Sequence, residues 1–228
     1  MNKIEVKQVN DYVCLLQEDN TYEIVKYVGK DLDVCVPNKI NGIAVTKIGT
    51  AAFYGSKIKS INVPSSVAYV GDYAFSRCYD LEKVYLAEGV KSIGFAITDY
   101  DANLKEVSLP NSLEHIEDVL MIGGKDLKYT IYDGAKYLGN EENPYLLFCK
   151  VVDRYATKNC EVHDGCKFLS DSSFFACSNL EKVILPASIK EIGEYAFSFR
   201  NNVIVELSNT YTFEFCKEHN IKCEYNPK

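Results

Sequence analysis

The 228-residue chain has no tryptophan, only three histidines, and no run of about 18 apolar residues. Without such a run, no segment is expected to cross a bilayer as a helix. Clustered basic residues are also missing. The formal net charge is −7, which argues against nucleic acid or an anionic membrane as a partner. No glycine-rich phosphate loop and no nucleophile elbow occurs, so two large enzyme classes lose their usual signature. The opening MNKIEVKQVNDYVCLL lacks the apolar centre of a secretory signal. A cytoplasmic chain is expected as the sequence is written, and a surface or secreted one if a signal was removed.

What the chain does have is repetition. LEKVILPASIKEIGEYAF at 180–197 shares its grammar with LEKVYLAEGVKSIG at 81–94, LKEVSLPNSLEHI at 104–116 and IKSINVPSSVAYVGDYAF at 58–75. The apolar anchor before the Gly slot falls at Ile48, Val70, Ile93, Ile116, Leu169 and Ile192, with steps of 22, 23, 23, 53 and 23 residues. A fixed period of this length marks a solenoid, a stack of coils sharing one continuous core. Within LEKVYL, Val84 and Leu86 share one parity and Lys83 and Tyr85 the other, which is strand alternation. One strand per coil, always in one direction, must pair in parallel with its copies. The Pro of VPSS, LPNS and LPAS ends each strand. The Gly at 49, 71, 94 and 193 is expected to give a tight corner its backbone freedom. Phe53, Phe75, Phe174 and Phe197 recur beyond that corner and predict an aromatic spine. Thr98 and Met121 hold the slot in the middle coils, where packing is expected to be looser or to be compensated by Phe95 and Leu120.

The IGxxAFxxCxxLxxVxLPxSVxxIG grammar, with Cys78 and Cys177 in its Cys slot, resembles the BspA-like leucine-rich repeat family over roughly 32–132 and 157–225. VPNKINGIAVTKIG is similar to that family's opening coil, and NTYTFEFCKEHNIKCEY to its terminal segment. The resemblance implies a mainly β, right-handed leucine-rich repeat solenoid with a parallel sheet. It also implies a role in protein–protein contact, adhesin-like in some members. The chain reads as a single domain over 1–228. An N-terminal cap occupies 1–33, with segments at Tyr12–Gln17 and Tyr22–Val28. Repeats follow at 34–132, then a β-hairpin insertion at 133–158 that pairs Lys136–Leu138 with Tyr145–Val152. Repeats return at 159–207, and a cap with a short helix closes 208–228.

The sharpest constellation for chemistry is Cys160-x-x-His163-x-x-Cys166, with Cys149 upstream, a spacing compatible with zinc. The repeat register weighs against it. Cys160 falls in the inward slot of Ile61, Val84, Val107 and Val183, and Cys166 in that of Val67, Val90, Leu113 and Ile189. His163 takes the turn slot of Pro64, Pro110 and Pro186 and is expected to face water. The nine cysteines are therefore expected to be mostly reduced core residues, with no metal and no cofactor. The acidic turns Glu114–Asp118 and Glu141-Glu142 read as solvated.

A surface remains. In each strand the outward residues predict a ladder of Ser60/Asn62, Lys83/Tyr85, Glu106/Ser108, Tyr129/Ile131 and Lys182/Ile184, with the Asn159/Glu161 rung interrupting it. Tyr85, Tyr129, Ile131 and Ile184 are its candidate contact groups for a protein partner. The chain is thus expected to be a non-enzymatic protein-interaction module. A structural spacer or assembly domain is the alternative, and a Cys-dependent enzyme a remote one.

Overall fold

A computed structural model describes residues 6–117, 124–171, 173–197, 204–207 and 209–225. Their packing divides into two compact units, Met1–Lys128 and Tyr129–Lys228. In the first unit, β1 (Val6–Val9), β2 (Tyr12–Leu16) and β3 (Tyr22–Tyr27) form an antiparallel meander. β4 (Asp33–Cys35) opens the first coil, which continues through β5 (Lys39–Ile40) and β6 (Ile43–Ile48). Asn41 and Gly42, at φ 51° and 82°, make the tight turn between β5 and β6, which is where a left-handed pair of residues suits a hairpin. Each later coil contributes one longer strand and one two-residue strand. These are β7 (Ser60–Val63), β8 (Tyr69–Val70), β9 (Lys83–Leu86), β10 (Ser92–Ile93), β11 (Glu106–Ser108) and β12 (His115–Ile116).

The longer strands stack in parallel in the order β11-β9-β7-β4, with Asp33, Ser60, Lys83 and Glu106 in one row. The short strands at the anchors form a second parallel array, β3-β6-β8-β10-β12. The sequence pattern showed the first array and not the second, because two-residue strands carry no readable alternation. Between the arrays lie Ile61, Val84, Val70 and Ile93, all buried.

The second unit has the same plan. β13 (Thr130–Tyr132), β14 (Ala135–Leu138) and β15 (Leu147–Val151) form an antiparallel meander. β16 (Asn159–Glu161), β17 (Phe168–Leu169), β18 (Lys182–Ile184), β19 (Glu191–Ile192), β20 (Ile204–Leu207), α1 (Thr210–Glu218) and β21 (Cys223–Tyr225) follow. Two sheets result, β13-β14-β15-β17-β19 and β16-β18-β20-β21. The expected hairpin is present. It is no protrusion, since β15 hands its register in parallel to β17 (Phe148 opposite Leu169), as β3 does to β6 (Ile24 opposite Ile48). The segment read as an interruption therefore opens the second unit.

The spine is present in both units. Tyr27 stacks on Phe53 at 5.0 Å and Phe53 meets Phe75 at 5.7 Å. In the second unit Phe148, Phe174 and Phe197 follow at 4.9 and 5.1 Å. The next coil of the first unit departs from expectation. Ile97 is buried and fills the interior there, while Phe95 lies exposed against Tyr73. Leu120 and Met121 lie outside the described residues. The Gly slot also has a different cause from the one expected. None of Gly49, Gly71, Gly94 or Gly193 has a positive φ. A Cβ on Gly71 would come within 2.7 Å of the Thr50 amide nitrogen, and one on Gly94 within 2.7 Å of the Asp72 nitrogen. These glycines let one coil lie against the one before it, a matter of clearance and not of backbone freedom.

The C-terminal cap is built from side chains. Asn209 caps α1 by accepting from the Thr212 N–H at 2.8 Å, and its amide donates to Ala187 O and Ile189 O. The Tyr211 hydroxyl accepts from the Ile192 N–H at 3.0 Å. α1 thus covers an edge of β19 that another strand would otherwise pair, a common way to end a sheet.

Candidate functional site

Five of the anticipated contact residues share one face. Asn62, Lys83, Tyr85, Glu106 and Ser108 stand on β7, β9 and β11 in the registered rows Ser60–Lys83–Glu106 and Asn62–Tyr85–Ser108. β4 adds Asp33 and Cys35. Much of the face bonds to itself. Lys83 pairs with Glu106 at 3.3 Å, Glu106 with Lys128 at 2.5 Å, and the Ser60 hydroxyl donates to Asp33 at 2.5 Å. Tyr85, about half exposed at 52%, is its one large ring.

Tyr129 and Ile131 belong to the second unit, where β13 pairs antiparallel with β14 across the turn at Asp133 and Gly134, at φ 44° and 69°. Tyr129 is half-buried with the Lys136 ammonium 5.1 Å from its ring centre, while Ile131 is exposed. Lys182 and Ile184 stand on β18, in register with Asn159 and Glu161 of β16, and are half-buried.

A second surface went unread in the sequence. The turns after each Gly slot carry exposed rings on successive coils: Tyr54, Tyr73, Tyr79, Phe95 and Tyr100 in the first unit. The Arg77 guanidinium lies between Tyr54 and Tyr100, 5.8 and 5.3 Å from their centres, and Tyr73 meets Phe95 edge-on at 5.2 Å. Backbone bonds bind the turns to one another, with Tyr73 N–H donating to Phe95 O and Arg77 N–H to Asp99 O. The second unit repeats the pattern. Tyr195 stands three residues after its anchor, as Tyr73 does; Phe175 stands six after, as Tyr54 does. Both are exposed. Asn103 donates to Tyr79 O and Asn179 to Tyr155 O, so exposed Tyr79 and Tyr155 are equivalent. The signal was available as the aromatic in GDYAF and GEYAF, one place from the buried Ala-Phe.

The thiols are held as the register implies. Cys78, Cys160, Cys166 and Cys177 are buried. Burial pushes the Cys78 thiol up to about 11 and those of Cys160, Cys166 and Cys216 to about 12. Thiols kept protonated are poor nucleophiles and poor metal ligands. Among the described residues no three His, Cys, Asp or Glu side chains converge as a metal site. Ser56, Cys78 and Asp101 hold the same slot on successive coils. Asp101 is fully buried, and neither carboxylate oxygen accepts a hydrogen bond of ordinary geometry. Burial pushes its carboxyl up to about 8, with the charge of Asp99 adding to the effect.

His163 is half-buried and not free in solvent. Its ring stacks on Tyr145 at 3.7 Å and meets Tyr132 edge-on at 4.8 Å, while Nδ1 accepts from the Gly165 N–H at 2.9 Å. Pro64, Pro110 and Pro186 have no N–H in this slot, and Ala87 donates its own to Val63 O. His163 has one, and it donates to the Tyr137 hydroxyl at 3.3 Å.

The sequence matches the family model of the BspA type leucine rich repeat region in six copies, over residues 37–141 and 153–221. The chain belongs to the BspA-type leucine-rich repeat family. A leucine-rich repeat protein from Bacteroides capillosus ATCC 29799 is 29% identical over 56% of this chain and 96% of its own, with a TM-score of 0.51. The T. pallidum leucine rich repeat protein is 23% identical over 98% of this chain and 84% of its own, with a TM-score of 0.49. No curated protein matches. Repeats of this family point to a protein-interaction or structural repeat role and are generally non-enzymatic. No helix among the described residues is long and apolar enough to cross a membrane.

Proposed function

We propose that this BspA-type chain is a non-enzymatic protein-binding module, and that its contact surface is the aromatic turn ridge of the first unit. The observation that carries the reading is the Tyr54–Arg77–Tyr100 stack together with the Tyr73–Phe95 pair, four rings and a guanidinium that project from neighbouring coils. Tyrosine and arginine are enriched where interfaces concentrate their energy, because they offer area at low rotamer cost. Exposed rings gathered on one edge exceed what scattered surface residues require. The buried, protonated thiols of Cys78, Cys160 and Cys166 are poor nucleophiles, which disfavours them as the centre of a Cys-dependent enzyme. The strand face of Asn62, Lys83, Tyr85, Glu106 and Ser108 is the second reading of the contact surface. Its self-pairing suits a solvated wall, the behaviour expected of a spacer.

The two surfaces separate by experiment. A photo-crosslinking residue is placed at Tyr100 or at Tyr85 and the chain is exposed to material from its source. Adducts formed at position 100, lost on Tyr73→Ala/Tyr54→Ala substitution, support the ridge. Adducts at 85 alone move the site to the strands, and none at either position favours the spacer.

A further inference from the structure

The C-terminal cap brings two of the nine cysteines together. α1 ends in a reversal in which Asn220 takes φ 54° and the Ile221 N–H donates to Cys216 O at 2.8 Å. The chain therefore turns back on the helix immediately after it ends. Ile221 and Cys223 then share one parity and pack against the core of the second unit, while Lys222 and Glu224 are exposed. Cys216, on the inner face of α1, is fully buried in that core. The Ile221 N–H bond to Cys216 O folds the chain back on α1, and Cys223, two residues on, packs against the same core that holds Cys216. Of the other cysteines, Cys14, Cys78, Cys160, Cys166 and Cys177 are buried, Cys149 is half-buried on β15, and the exposed Cys35 neighbours Asn62. Cys223 is half-buried, so it offers solvent a route to a thiol already beside a second one.

We propose that Cys216 and Cys223 are an oxidative modification site that closes to a disulfide, tying α1 to β21, with a low-molecular-weight disulfide such as oxidised glutathione as oxidant. Cys223, deprotonated, attacks the reagent and displaces one thiolate, leaving a mixed disulfide. Cys216 then attacks the Cys223 sulfur and displaces the second thiolate. One S–S bond is broken and one formed, the two cysteine protons pass to the two released thiolates, and two electrons pass from the pair to the reagent. The high affinity of the buried Cys216 thiol for its proton, pushed up to about 12 by burial, makes the second step the slower one.

The test uses the whole chain, folded, incubated with oxidised glutathione, quenched in acid and digested with trypsin without reduction. Lys217 and Lys222 lie between the cysteines, so cleavage there parts the two peptides unless a disulfide joins them. The expected product is one linked pair containing Cys216 and Cys223, lighter by two hydrogens than its separate parts. Cys223→Ser should abolish the pair and leave Cys216 a free thiol. Cys216→Ser should retain one glutathione on Cys223. The proposal is overturned if the parent chain keeps glutathione on Cys223 beside a free Cys216. It is also overturned if Cys223 remains unmodified or links to any other cysteine. Should Cys216→Ser fail to fold, the parent and Cys223→Ser decide the matter alone.

Discussion

The two units open with the same backbone device and fill it with different side chains. In the first, β2 and β3 skip one residue between Val13 and Cys14, so that Cys14 faces Ile24. In the second, β14 and β15 skip one between Lys136 and Tyr137, so that Tyr137 faces Phe148. A small thiol in one unit is thus answered by a large phenol in the other. The spine adjusts accordingly, starting from Tyr27 in the first unit and from Phe148 in the second. Both phenols reach past the core to an exposed loop, Tyr27 accepting from Asp31 N–H at 3.2 Å and Tyr137 from His163 N–H. The bulge and the parallel hand-off are the constants, while the turn is longer in the second unit, where it joins Leu138 to Leu147, than in the first, where it joins Leu16 to Tyr22. Which position supplies the ring is free to change, because a bulge fixes strand direction and twist irrespective of the side chains around it.

The largest effect tests whether the spines are equivalent. Phe75→Ala and Phe174→Ala should each cost about 3–5 kcal/mol, as deletions of fully buried rings do. Chemical denaturation of the two variants measures this, and a marked inequality would mean the units do not rest on the same core. Next comes the charge found in the Cys slot of the first unit and matched by Cys177 in the second. Asp101 keeps its proton in the folded chain up to about pH 8 and loses it near 3.8 when unfolded. Between those values the folded state binds more protons, so stability falls as pH rises. Asp101→Asn should therefore raise stability by on the order of 3 kcal/mol at pH 8 and add little at pH 4. Thermal melts at both pH values read this, and a gain independent of pH would refute it. Smaller is His163→Ala, expected to cost about 1 kcal/mol through its lost stacking on Tyr145; indifference in a urea titration would restore the solvated-turn reading. Lys83→Ala, in an exposed pair, should stay within about 0.5 kcal/mol of the parent.

The coil register was legible because burial repeats it. Val84, Cys160, Cys166 and Phe75 all lie where counting from the anchors puts them. The short strands were not legible, since two residues cannot display a period. The meander of 130–151 was half legible. Its hairpin pairs as expected, Leu138 opposite Leu147, but β1 was missed, and the strand expected around Ile131 gained an antiparallel partner in β14 that was not anticipated. The ladder rungs on β7, β9 and β11 register as expected, while Tyr129/Ile131 and Lys182/Ile184 stand in the second unit. His163 was misplaced. Its slot belongs to a turn, and only the neighbouring Tyr132 and Tyr145, distant in sequence, draw it inward. The aromatic ridge escaped because attention to recurring buried Phe hid the recurring exposed ring beside it.

The meander of the second unit does something for β16 that backbone does for strands within a stack. Glu161 N–H donates to the Asp133 carboxylate at 2.9 Å, and His163 N–H to the Tyr137 hydroxyl, while Val162 N–H pairs with Ile184 O on the opposite side. Side chains thus supply the acceptors that a preceding coil would otherwise offer. In genetic terms this makes the second unit self-starting. Whole coils can be gained or lost between residues 34 and 117 by in-frame duplication or deletion, and the hydrogen bonds that begin the later run stay intact. Length can drift in one half of the gene while the other half keeps its count.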